Sequence, residues 1–184
     1  MLDVRSKMMI FSSYFSQIAF YKQHHINKTN SLSLFSFLKK KPFFSAEEQE
    51  KIVHAIATAE KQTSGEIRVF VESHCRFVDP VDRAAEAFFG LKMENTAARN
   101  AVLVYVAMKD RQLALLGDKG IHEKVGDVFW NEKVKLMLSH FNKQNYAEGL
   151  VHIISEIGEA LKTNFPYDEA TDKNELPDDI VFGR

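Results

Sequence analysis

This chain of 184 residues contains little cysteine and little proline, and its net charge is close to zero. The single cysteine, Cys75, excludes an intrachain disulfide and any cysteine-rich zinc or iron–sulfur site. The formal net charge is −1, so the overall balance favours neither nucleic acid nor an anionic membrane as a partner. No apolar run reaches the roughly 20 residues of a membrane-spanning helix. We therefore expect no nucleic-acid binding and no transmembrane segment.

Motifs of the common enzyme classes are missing as well. The chain lacks the Walker phosphate-binding loop, the dinucleotide glycine fingerprint, the nucleophile-elbow serine and the zinc-protease helix motif. His74 and Cys75 are adjacent at the end of a predicted strand, where neighbouring side chains point to opposite faces. They are therefore poorly arranged as a catalytic pair, and no catalytic residue is assigned.

The apolar residues predict an α/β fold built around one central strand. Residues 99–108 are apolar at almost every position, which is typical of a strand covered on both faces. A shorter apolar run at 112–117 follows a tight polar turn at Asp110 and Arg111, so the two strands should form an antiparallel hairpin. Residues 66–72 alternate with period two, which indicates a half-buried strand.

Helix signals stand before and after these strands. Ser45 and Glu48 fit a capping box, and Asp79 followed by Pro80 fits the start of the next helix. A strand, a helix and a second strand in this order imply a parallel, right-handed crossover. The predicted fold is a three-layer α/β/α sandwich, in which helices cover both faces of a small mixed central sheet with a parallel crossover and an antiparallel hairpin.

Three regions follow from the composition along the chain. Residues 1–43 are basic and contain one carboxylate, and they lack a clean apolar segment with a small-residue cleavage site. We expect a flexible or weakly ordered leader there, or a true start near Met8 or later. The folded domain spans 44–165, and residues 166–184 form an acidic, extended tail. We expect a cytoplasmic protein, with export as the alternative if residues 1–30 act as a signal.

Polar segments meet at each end of the predicted sheet. The topology brings residues 63–66, 94–100 and 117–120 to one rim, where carboxylates and an amide oxygen are the ligands that Ca²⁺ and Mg²⁺ prefer. The candidate metal ligands at this rim are Glu66, Glu94, Asn100 and Asp118.

The opposite rim is the competing location for a ligand. It holds His74, Asp79, Asp82, Asp110 and Arg111. Ligands of open α/β sheets usually bind at the carboxyl ends of parallel strands, which is this second rim. The two arguments disagree, and the residues alone favour the second rim.

Five short motifs, in this order and spacing, resemble the TPM domain. They are residues 63–69 (TSGEIRV), 99–100 (RN) before an apolar strand, 110–111 (DR), 117–120 (GDKG) and 146–150 (YAEGL). The family includes thylakoid acid-phosphatase-like proteins, photosystem II repair proteins, an acetylcholine-receptor modulator and small bacterial proteins, which this chain resembles over about residues 44–165. The resemblance implies an α/β/α sandwich and favours the first rim. Some members are reported to bind Ca²⁺ or Mg²⁺ and to hydrolyse phosphomonoesters.

Three functions follow from these observations. The first is a non-catalytic or weakly catalytic module that binds Ca²⁺ or Mg²⁺ and a protein partner, the partner docking on the acidic tail. The alternative is a metal-dependent acid phosphatase acting on phosphomonoesters, with Asp118 as a ligand and Glu66 as a ligand or base. The third is a membrane-associated accessory or quality-control factor that acts through residues 1–40. The sequence does not indicate an oligomeric state.

Overall fold

A computed structural model describes residues 42–169, 176–177 and 179–183. The predicted leader lies outside the described residues except for Pro42 and Phe43. The helices are α1 (Ala46–Glu60), α2 (Pro80–Gly90), α3 (Lys119–Phe141) and α4 (Tyr146–Asn164), with a short 3₁₀ turn at Met93–Asn95. The strands are β1 (Ile67–Glu72), β2 (Val102–Ala107), β3 (Gln112–Gly117) and β4 (Ile180–Phe182).

The four strands form one mixed sheet in the order β3-β2-β1-β4. β1 runs parallel to β2 and to β4, while β2 and β3 form the antiparallel hairpin. The parallel crossover and the hairpin confirm the predicted topology. β4 was not predicted: it is a three-residue strand from the region expected to form the extended tail. Ile180–Phe182, a part of the tail that we expected to dock a partner, pairs with β1 of its own chain.

Helices cover both faces of the sheet, which confirms the three-layer sandwich. On one face α1, α3 and α4 pack against the sheet, and the fully buried Trp130 lies in this layer. On the other face α2 and the 3₁₀ turn pack against a second apolar cluster, which includes Phe88 and Tyr105. Among the helices of the described residues, none combines the length and the apolar character that crossing a membrane requires.

The prediction that β1 is half-buried is wrong. All six of its residues are buried, including Arg68 and Glu72, which are 5% and 2% exposed. Glu72 accepts two hydrogen bonds from Arg83, at 2.9 and 3.0 Å, and one from the Tyr105 hydroxyl at 2.5 Å. Arg68 pairs with Asp179, just before β4. The polar face of β1 can be buried because each charge has a partner.

Local capping signals fix the starts of α1 and α2. Ser45 Oγ accepts from the Glu48 amide at 3.2 Å, and the Glu48 carboxylate accepts from the Ser45 amide at 2.7 Å. Asp79 caps α2 by accepting from the Val81 amide at 2.8 Å. Both predicted helix starts are confirmed.

Replacing Ser45 with alanine should lower the free energy of unfolding by about 1 kcal/mol, because the capping hydrogen bond to Glu48 is lost. Urea unfolding of the two proteins measures this. Ser139→Ala is the matched control, since Ser139 is exposed and its hydroxyl bonds only to a carbonyl of its own helix. Equal stability of the Ser45 variant and the wild type would contradict the capping role.

Candidate cation site at the sheet rim

Hydrogen bonds tie together the three loops that were predicted to meet at the first rim. The Asn100 side-chain amide donates to Ser64, at 3.1 Å to the carbonyl and 3.3 Å to the hydroxyl. The Asp118 amide donates to the Ala101 carbonyl at 2.8 Å, and the Gly120 amide donates to the Arg99 carbonyl at the same distance. The predicted convergence of the segments at 63–66, 94–100 and 117–120 is therefore confirmed.

Asn100 has an oriented and buried side chain at the centre of this rim. It is 1% exposed, and its backbone amide donates to Thr96 Oγ1 at 3.2 Å. Because the Ser64 carbonyl only accepts, the nitrogen of the Asn100 amide must face Ser64. The Asn100 Oδ1 is then buried with no hydrogen-bond donor among the described residues. Leaving such an oxygen without a partner costs about 1–3 kcal/mol.

Two other candidate ligands, Glu66 and Glu94, are carboxylates in the segments that meet at this rim. Glu66 is 4% exposed and directly precedes β1, and its backbone carbonyl accepts from the Val102 amide at 2.7 Å. Glu94 lies in the 3₁₀ turn, and its Oε2 is buried and accepts no hydrogen bond from any described residue. Glu94 also contributes to raising the pKa of Arg99, so its carboxylate lies near the Arg99 side chain.

Asp118, the fourth candidate ligand, is held by Arg99. The fully buried Asp118 accepts from Arg99 Nε at 2.6 Å and Arg99 Nη2 at 2.8 Å, one bond to each carboxylate oxygen. Its Oδ1 also accepts from the Lys119 amide at 2.7 Å, which caps α3. The hydrogen bonds that Arg99 donates to Asp118 are the main cause that raises the pKa of Arg99. Sequence reasoning missed this pairing, because no periodic pattern links a loop residue to a helix cap.

The carboxylates of the opposite rim are engaged in structural contacts. Asp110 accepts from His74 Nδ1 and from the Cys75 amide, both at 2.8 Å. Burial pushes the pKa of Asp110 upwards, but these two hydrogen bonds outweigh it and lower the pKa. Asp79 caps α2 through its side chain, and Asp82 is exposed.

Cys75 lies at this second rim as a protonated thiol. Burial is the main cause that raises its pKa, and Sγ lies 3.5 Å from the Val78 carbonyl. A thiol with a raised pKa is a poor nucleophile. His74 is oriented by Asp110 rather than aimed at the cysteine.

Within the described part of the chain, no three His, Cys, Asp or Glu side chains are grouped as a metal cluster. A cation at the first rim would have to combine carboxylate, amide and backbone oxygens. Such a mixed set of oxygens suits Ca²⁺, which takes roughly six to eight oxygen ligands in flexible geometry. The donors at Glu66, Glu94 and Asn100 fit this chemistry.

The model of the TPM domain family matches residues 39–160 of the chain. The chain belongs to the TPM domain family. The resemblance inferred from the five short motifs is thereby confirmed, and so is the fold that it implied. A search among curated proteins finds no match to this TPM domain.

Two solved structures are similar to this TPM domain. The NMR structure of the BA42 protein from the psychrophilic bacterium Bizionia argentinensis is 43% identical, with a TM-score of 0.73, and the alignment covers 79% of this chain and 99% of BA42. The N-terminal domain of the cg2496 protein from Corynebacterium glutamicum has a TM-score of 0.54 at 14% identity, covering 81% of this chain and 97% of that domain. The second similarity concerns the fold alone.

Proposed function

We propose that this TPM domain is a non-catalytic module that binds Ca²⁺ or Mg²⁺ at the rim formed by Glu66, Glu94 and Asn100. The observation that carries the proposal is the oriented Asn100 Oδ1, which is buried and has no hydrogen-bond donor among the described residues. A hard cation offers such an oxygen the interaction that the protein does not supply.

Charge also supports a cation at this rim. The guanidinium of Arg99 at this rim is bonded to both oxygens of Asp118. Glu94 Oε2 accepts no hydrogen bond from the described residues, so this carboxylate oxygen is open to a bound ion. In this proposal Asp118 holds the loop at 94–100 against α3, and the other three predicted residues contact the ion.

The rim is also built rigidly enough to hold ligands in place. Asn100 is hydrogen-bonded through its backbone amide and its side-chain amide. It also lies just before strand β2, which begins at Val102. Gly120 brings α3 against the loop at Arg99. Ligands that are positioned before the ion arrives bind with less entropic cost.

Glu94→Gln should weaken Ca²⁺ binding about tenfold or more, because it removes a charge from a hard-oxygen site while keeping the side-chain shape. Isothermal titration of the full chain with CaCl₂ and with MgCl₂ measures this. Glu132→Gln is the matched control, since Glu132 is exposed on α3 and is expected to leave the affinity unchanged. Equal affinity of wild type and Glu94→Gln would reject the site.

The phosphatase alternative is tested on the same samples. The family includes phosphatase-like members, so p-nitrophenyl phosphate hydrolysis is assayed with and without MgCl₂. A non-catalytic module shows no turnover that depends on Glu66. Metal-dependent turnover that is lost in Glu66→Gln would replace the module with an enzyme.

A further inference from the structure

We propose that His140 and His152 form a binding site for a divalent transition-metal ion such as Zn²⁺, separate from the rim. His140 lies in the last turn of α3 and His152 lies in α4, and His140 Nε2 is 3.1 Å from His152 Nδ1. The rings are nearly perpendicular, at 86°, with centroids 5.2 Å apart. Two nitrogens that ligate one tetrahedral zinc lie about 3.3 Å apart, given Zn–N bonds of about 2.05 Å. The separation of the two nitrogens in the pair is thus within a few tenths of an ångström of that distance.

The packing of α3 on α4 holds the two rings together. A Cβ added to Gly149 would lie only 2.8 Å from the His140 Cβ, so the glycine lets α4 approach α3 at this point. Beside it, the rings of Phe141 and Tyr146 pack edge to face, 5.0 Å apart. His152 follows Gly149 by three residues and therefore stands on the same side of α4.

The second ring nitrogen of His152 faces a carboxylate. His152 Nε2 is 3.8 Å from Glu156 Oε1, and the other oxygen of Glu156 accepts from Lys133 Nζ at 2.5 Å. The hydrogen bond from Lys133 holds the Glu156 carboxylate beside His152. Histidines that bind metals usually direct their other N–H at such a group. Glu156 thereby favours the tautomer of His152 whose Nδ1 lone pair faces His140.

The proton rearrangement that metal binding requires at the pair needs no further reactant. When both rings carry their proton on Nε2, the Nε2–H of His140 donates to His152 Nδ1. When an ion binds, the proton leaves Nε2 and is held on the Nδ1 of His140, so both ligating nitrogens are neutral. His152 lines a groove of about 1100 Å³ between α1 and α4, through which water reaches the ion as the remaining ligands.

The nitrogen donors distinguish this site from the rim. Imidazole suits Zn²⁺, Cu²⁺ and Ni²⁺, whereas carboxylate and amide oxygens suit Ca²⁺ and Mg²⁺. The His pair can therefore be tested with ions and variants that do not involve the rim.

Isothermal titration of the full chain with ZnCl₂ tests the proposal. His140→Gln and His152→Gln should each weaken Zn²⁺ binding about tenfold or more, since second-shell changes alone often cost 10–100-fold. His54→Gln is the matched control, because His54 is an exposed histidine that lines the same groove on α1. The double variant with His24→Gln and His25→Gln controls for the adjacent pair near the N-terminus.

Ring-nitrogen NMR provides a second, site-resolved measurement on the same samples. Zn²⁺ should shift the resonances of His140 Nε2 and His152 Nδ1 and leave those of His54 unchanged. Unchanged Zn²⁺ affinity in both glutamine variants, or a loss confined to the His54 or the His24 and His25 variants, would overturn the proposal. Glu94→Gln should leave Zn²⁺ binding intact, so a failure of the rim site and a failure of this site give different results.

Discussion

Replacing Gly120 with alanine is expected to lower the free energy of unfolding by about 3 kcal/mol, the cost of strong overpacking. A Cβ at this position would lie 2.2 Å from the Ala98 carbonyl oxygen and 2.8 Å from that of Arg99. Both are backbone atoms, so neither can rotate away as a flexible side chain could. The substitution must push α3 away from the loop at 94–100, which also carries Asn100.

Urea unfolding measures the loss, with Trp130 as a single buried fluorophore. Gly90→Ala is the matched control, because Gly90 ends α2 and no described atom lies within 4 Å of its added Cβ. That control should be neutral or more stable by up to about 1 kcal/mol, from helix propensity alone. A Gly120→Ala protein as stable as the Gly90→Ala protein would show that α3 does not pack on this loop as described.

Replacing Asp118 with alanine is expected to cost about 3 kcal/mol, from the lost ion pair together with the lost helix cap. Asp118 is fully buried and bonds to Arg99 through both oxygens and to the Lys119 amide. Breaking a wholly buried pair costs about 3–5 kcal/mol. The low end applies here because the Arg99 side chain is 41% exposed and regains water when it loses its partner.

A second helix cap separates the two contributions. Asp79 caps α2 through the Val81 amide, and Asp79→Ala should cost only about 1 kcal/mol.

Calcium titration then separates the structural role of Asp118 from a ligand role. If Asp118 holds the loop, Asp118→Asn and Arg99→Gln should change Ca²⁺ affinity to a similar extent. A much larger loss in Asp118→Asn than in Arg99→Gln would make Asp118 a ligand.

Much of the fold could be predicted because its signals are local. Ser45 with Glu48, and Asp79 with Pro80, mark helix starts within four residues. The turn at Asp110 and Arg111 joins two apolar runs at the spacing of a hairpin, and Arg111 adopts a positive φ of 52° there.

What could not be predicted depends on partners that are distant in sequence. β4 has three residues, too few for any periodicity, and it forms only because β1 offers an open edge. The alternation of residues 66–72 predicted that Arg68 and Glu72 lie on the exposed face of a half-buried strand. Their burial depends on Asp179, which lies 111 residues from Arg68, and on Arg83. Charged residues at alternating positions do not reveal whether such partners exist.

The location of the candidate site could be predicted from the sequence, but the contacts within the site could not. Strand order alone brought the loops of Glu66, Asn100 and Asp118 to one rim, as the structure has them. The pairing of Asp118 with Arg99 and the orientation of the Asn100 amide are set by tertiary hydrogen bonds. His140 and His152 lie 12 residues apart on separate helices, so their contact also requires the packed structure.

The most direct test of the central claim is a Ca²⁺ titration of the uniformly ¹⁵N-labelled chain, followed by its backbone amide resonances. Saturable shifts should concentrate at residues 63–66, 94–100 and 117–120, with Asn100 among the largest. Shifts concentrated instead at residues 73–82 and 108–112, or no shift at saturating Ca²⁺ and Mg²⁺, would contradict the cation site at this rim.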